Sequence, residues 1–221
     1  MASALSLISD FWGIVDGPVH PADEPVLQEQ DPTATVLNRD YPPPAFIGDV
    51  DNAPILILMG NGGFDAQKTP LEFSDQGSIE RYIQFLRCPG PVDPGLMSPY
   101  YDSHYAAPLI RTGTAAIVNC CAYRSNRLMN SAGKLKKLAD ELPSVRASRK
   151  WVKDELMPAA ASGAKLVVVH RPGLWDIPPG DGPNFYQAVD PEWARKALPI
   201  RFRLLIEAFL NEGNSGARSR T

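Results

Sequence analysis

Three apolar runs of strand length constrain this chain most: "PILILMG" over residues 54–60, "AAIVNCC" over 115–121 and "AKLVVVH" over 164–170. None alternates apolar with polar residues, so none has a wet face. Strands covered on both faces read this way, and a parallel sheet is the usual reason. Helical patterns lie between them. "GSIERYIQFLRC" (77–88) opens on Ser78 as an N-cap and sets Ile79, Ile83 and Leu86 along one side. "SVRASRKWVKDELMPAAASGA" (144–164) predicts a helix stopped at Gly163, and "LPIRFRLLIEAFLNEG" (198–213) an amphipathic helix ending at Gly213. Strands alternating with helices predict an α/β protein: a single three-layer α/β/α domain with a short, mainly parallel central sheet. That domain is expected to span residues 41–213, after an acidic, proline-containing arm (1–40) and before a disordered tail (214–221).

Charge removes some function classes. A net charge of −3 over 221 residues argues against a constitutively basic nucleic-acid coat protein. The charge is uneven, however. Residues 1–52 hold nine acids against Arg39 alone, whereas 124–153 hold nine bases against Asp140 and Glu141. The basic segment is either a solvated helical face or a phosphate-facing patch. No run approaches the roughly 18 apolar residues a membrane helix needs, and the start lacks a basic leader, so a cytoplasmic protein with no membrane partner is expected. Cys88, Cys120 and Cys121 form neither a metal-type C-x-x-C pair nor an even disulfide set. No metal or cofactor is expected.

In an open parallel sheet, ligands gather outside the carboxyl ends of the strands. The first run ends in Gly60-Asn61-Gly62-Gly63-Phe64-Asp65, the second in Asn119 before "CCAYRSNR", and the third in His170-Arg171-Pro172-Gly173. Each has a plain structural explanation: glycines turn, a strand-end Asn satisfies backbone, a His caps a strand. Each also has a chemical one. Glycines let backbone approach a ligand, the Asn119 amide offers both donor and acceptor to an amide-like ring, and a neutral His170 can donate to developing negative charge. The glycine run lacks the third glycine of a dinucleotide fingerprint and the Gly-Lys-Ser/Thr of a phosphate loop. A thiol nucleophile at Cys120 or Cys121 paired with His170 stays open as an alternative. His20, in the acidic arm, is expected at the surface. His104 sits with Tyr100, Tyr101 and Tyr105 in an aromatic loop that either packs or stacks a base.

In this order, the strand ends resemble the uracil-DNA glycosylase superfamily. "MGNGGFDAQKTPLEF" is similar to its first motif, particularly in the single-strand-selective branch, "VNCCAYRS" to its Asn motif, and "VVHRPG" to its His motif. Together they cover roughly residues 41–180. The resemblance implies a parallel-sheet α/β/α fold and hydrolysis of the N-glycosidic bond of uracil or a related damaged base in DNA. Asn61, or Asp65, would orient the attacking water, Asn119 would read the base and His170 would stabilise the leaving base. Gly60, Gly62 and Gly63 would form the pocket floor and Phe64 would stack on the base. Arg124, Ser125, Arg127 and Arg171 would hold the backbone of a single strand or of a flipped nucleotide. Aligned glycine to glycine with the family's first motif, Gly62 meets the catalytic Asp; shifted one place, Asn61 takes the water-orienting role and Gly62 stands where a proline is expected. The chain also lacks the serine of the His motif and the cysteines of the iron–sulfur branch. A weak or inactive member that binds a nucleobase, nucleotide or single-stranded nucleic acid remains the alternative.

Overall fold

The computed structural model describes residues 6–29, 37–125, 134–189, 192 and 197–218. Its five strands are β1 (Phe46–Ile47), β2 (Ile55–Asn61), β3 (Ala115–Cys121), β4 (Leu166–Val169) and β5 (Phe185–Gln187). They form one sheet in the order β1-β3-β2-β4-β5. The contacts among β2 to β5 are all parallel, and β1 alone is antiparallel, against β3. The three apolar runs are therefore the three central strands. Every residue of β3 and β4 is buried. Successive side chains point to opposite faces, so unbroken burial means that both faces are covered.

Helices α1 (Ser6–Trp12) and α2 (Glu24–Gln28) precede the sheet. Between β2 and β3 run α3 (Thr69–Glu72), α4 (Gln76–Arg87), α5 (Pro99–Asp102) and α6 (Ala107–Arg111). Between β3 and β4 come α7 (Lys134–Glu141), α8 (Pro143–Trp151) and α9 (Met157–Ala161), and α10 (Ile200–Arg218) follows β5. No described helix is long and apolar enough to cross a membrane.

Local chemistry corrects several sequence expectations. The cap of α4 is Asp75, not Ser78: its extended backbone lets the carboxylate accept the Ser78 N–H at 2.7 Å. A carboxylate at a helix N-terminus also complements the helix dipole. The helix expected over 144–164 widens into a π-turn at Val152–Leu156. Pro158 lies just beyond; it has no N–H to give back to the preceding turn, and the wider winding accommodates it. Gly163 ends this unit with φ +80°, as expected. Helix α10 runs through Gly213 to Arg218, into the expected tail, because a glycine inside a helix costs only about 1 kcal/mol relative to alanine.

The described residues of the acidic arm pack into the domain. Ile8, Trp12, Val15 and Leu27 belong to the main core, and α1 packs against α4 and α8. His20 is fully buried, not exposed. Its Nε2 donates to the Phe11 carbonyl at 2.8 Å, its Nδ1 accepts the Ala22 N–H, and the ring stacks on Phe11 at 4.1 Å. Asp23, also fully buried, accepts the Tyr123 hydroxyl at 2.8 Å and the Ser144 N–H, in the first turn of α8, at 2.9 Å. The arm is thus bonded to the loop leaving β3.

Candidate functional site

Register places the predicted strand-end residues together. Met59 pairs with Asn119 and Asn61 with Cys121, while Leu58 pairs with Val169. Aligned residues of parallel strands share a face, so Asn61, Met59 and Asn119 point the same way. The same register, continued one residue past β4, sets His170 beside Met59, and its N–H donates to the Leu58 carbonyl at 2.9 Å. Three chemical side chains thus gather at one edge of β3, β2 and β4.

Asn61 is held by its nitrogen. Nδ2 donates to the carbonyls of Gly62 and Ser125, each at 2.9 Å. The Ser125 N–H returns a bond to the Gly62 carbonyl at 2.9 Å, stitching the glycine turn to the loop after β3. Two carbonyl neighbours fix which end of the amide is nitrogen. Oδ1 has no hydrogen-bond partner among the described residues. Gly62 must be glycine for a tertiary reason, since a Cβ there would come 2.6 Å from Pro44 Cγ. A Cβ at Gly63 would meet nothing within 4 Å. Asp65 is exposed and accepts the N–H groups of Gln67 and Lys68, bonds that hold its pKa below the usual carboxylate value. It caps the turn into α3 and does not reach into the site.

Asn119 is 2% exposed, and its Nδ2 donates to the Pro44 carbonyl at 2.6 Å and the Tyr101 hydroxyl at 2.8 Å. Both amide hydrogens are therefore spent, which leaves only Oδ1 to read a base. Tyr101 opens onto a small cleft, lined also by Glu72, Phe73, Ser98 and Arg124. Burial pushes the Tyr101 hydroxyl up to about 12, so it is a neutral donor. Arg124 is a buried residue whose Nη2 pairs with Glu72 at 2.6 Å and whose Nη1 donates to the Gly63 carbonyl at 3.3 Å. Its guanidinium lies over the Phe73 ring, 5.7 Å from the centroid. Burial raises the Glu72 carboxyl even beside that guanidinium. The cleft measures about 40 Å³. That volume holds one or two waters, well short of the roughly 300–1,000 Å³ of ordinary ligand sites.

Other expected residues stand elsewhere. Arg124 is not a surface phosphate contact, for its charge is buried against Glu72. Ser125 is buried too, and serves the turn through its backbone. His170 is fully buried, so no ligand reaches its ring in this conformation. Phe64 is half-buried, and it is Phe73 that lines the cleft. Arg171 is half-buried beside Tyr100, and burial lowers its pKa. Arg127 lies outside the described residues. Part of the basic segment is internally paired: Arg149 with Asp140, Lys150 with Asp154, and Lys153 with Asp176. The thiol alternative fails, because Cys120 and Cys121 are fully buried and burial raises both thiols, Cys121 to about 12. Among the described residues, no His, Cys, Asp or Glu cluster is suited to a metal ion.

Sequence reasoning missed Glu72, Phe73 and the role of Tyr101. "TPLEF" offers a charge between two apolar residues, a pattern as common on a surface as in a site. Comparison with known proteins adds no relative: no family model, curated protein or solved structure matches the chain.

Proposed function

We propose that the protein takes a nucleobase from single-stranded or locally opened DNA at the carboxyl ends of β2 and β3 and hydrolyses its N-glycosidic bond. Uracil or a related damaged pyrimidine is the proposed base. The observation that carries this reading is the fixed amide of Asn61. With Nδ2 tied to two carbonyls, Oδ1 is a pre-oriented acceptor, the group needed to hold one hydrogen of an attacking water. Bond cleavage leaves positive charge on the sugar and negative charge on the base. An amide orients water without offering a carboxylate to that positive charge, so turnover is slow.

The same geometry accounts for an amide rather than a carboxylate at position 61. A carboxylate at position 61 would face the Gly62 and Ser125 carbonyls with no hydrogen to donate. A second reading, binding without turnover, is favoured by the cleft's small volume and by the Glu72–Arg124 pair that closes it. In either reading the segment from Gly63 to Phe73 must move outward to admit a base.

Single-turnover release of base from a uracil-containing strand tests the assignment. Wild type is expected to release uracil slowly, Asn61→Ala to lose most of that rate, and Asn61→Asp to lose it as well. A faster Asn61→Asp enzyme would refute the amide argument. Tight binding with no release by any variant would select the second reading.

A further inference from the structure

The cleft contains a buried donor with nothing to donate to. Arg124 Nε is out of solvent contact and has no hydrogen-bond partner among the described residues. The rest of the guanidinium is committed: Nη2 to Glu72, Nη1 to the Gly63 carbonyl, and its flat face toward Phe73. The fork therefore cannot turn to satisfy Nε without breaking an ion pair whose side chains are only 5% and 10% exposed. Buried donors are nearly always paired, so an orphan in a cleft marks a place where a ligand or water supplies the acceptor.

Asn119 presents the complementary gap. Its two N–H bonds are spent on Pro44 and Tyr101, so it offers an acceptor and no donor. The two residues are neighbours through Tyr101, whose hydroxyl takes the Asn119 bond and lies in the field of Arg124.

We infer that Arg124 is a base-reading residue: its Nε–H donates to a ring carbonyl while Asn119 Oδ1 accepts the adjacent ring N–H. This rests on the base-binding reading above and names the edge the site selects. An imide edge, an N–H flanked by C=O as in uracil, satisfies both groups. A cytosine edge sets an amino group against the Arg124 donor and a bare ring nitrogen against the Asn119 acceptor, and is rejected by two mismatches. Phe73 beneath the guanidinium supplies the apolar wall along which the ring slides. Glu72 acts as a positioning residue, because it holds the guanidinium that carries the reading donor.

Nitrogen-15 NMR of the arginine side chains tests this on the intact protein, with free uracil and then free cytosine as probes. The Arg124 Nε–H signal is assigned by its loss in Arg124→Lys, or by its contacts to the Phe73 ring should that variant fold poorly. Uracil is expected to move this signal downfield and slow its exchange with water, whereas cytosine leaves it in place. Uracil affinity is expected to fall about tenfold or more in Arg124→Lys, which keeps the charge beside Glu72 but loses Nε. If uracil shifts the Asn119 amide signals and leaves Arg124 Nε unmoved, the inference is overturned while the base site stands. If no cleft signal responds to uracil or to a uracil-containing strand, the base-binding reading fails and the inference with it.

Discussion

Removing the Asp23 carboxylate should unlock the N-terminal arm from the sheet. Asp23 is fully buried and ties three segments together: its own turn, Tyr123 in the loop leaving β3, and Ser144 at the start of α8. In Asp23→Ala the Tyr123 hydroxyl loses its acceptor and the Ser144 N–H loses its cap. Hydrogen bonds to a charged group contribute about 1.5–3 kcal/mol each, and relief of the carboxylate's own desolvation offsets part of the two. The net loss expected is about 3 kcal/mol, or a drop in Tm of roughly 6–12 °C for a chain of this size. Urea unfolding should show a lower midpoint with an unchanged slope. Combining the change with Tyr123→Phe should recover about 1–3 kcal/mol of coupling, since both variants remove the same bond. A loss below about 0.5 kcal/mol, the range of surface substitutions, would show that the arm is not bonded to the domain as described.

Further outcomes follow from single residues. His104 accepts the Ala106 N–H on Nδ1, while burial first and then Arg203 press its pKa down to about 4. The unfolded chain, with its histidine near 6.5, therefore binds more protons between those values, so stability present above pH 6.5 is lost as pH falls toward 4, by about 3 kcal/mol in all. His104→Asn should flatten that part of the stability–pH curve; identical slopes for both proteins would contradict this. Gly62→Ala should cost about 1–3 kcal/mol through its clash with Pro44, whereas Gly63→Ala should stay within about 0.5 kcal/mol, as thermal unfolding will read. Thiol titration of the native protein should count one fast cysteine, the exposed Cys88, and all three only after denaturation. A second fast thiol would place Cys120 or Cys121 nearer the surface than the fold allows.

The sheet was legible because burial on both faces leaves a trace in one dimension: a strand with two covered faces has no polar alternation. Strands β1 and β5, two and three residues long, are too short to leave one. Strand ends were legible only in part: β3 runs two residues past Asn119, to Cys121, yet Asn61, Asn119 and His170 do gather toward the carboxyl ends of the central strands. What each does there depends on partners far along the chain. Asn61 is fixed by the Ser125 carbonyl and Asn119 by the Pro44 carbonyl, 64 and 75 residues away. Arg124 shows the limit most clearly. Its sign was readable, and placed it with the phosphate-binding cations; its direction was not, because Glu72 turns it inward. The arm's acids misled in the same way, since composition cannot tell the buried Asp23 from its exposed neighbour Glu24.

The most direct test is release of free uracil from a single-stranded oligonucleotide, measured as the mass of the abasic product with protein at stoichiometric concentration. Slow conversion of a uracil-containing strand, none of its cytosine counterpart, and loss of conversion in Asn119→Ala are predicted. An intact uracil strand that the protein neither cleaves nor binds would contradict the account at its centre.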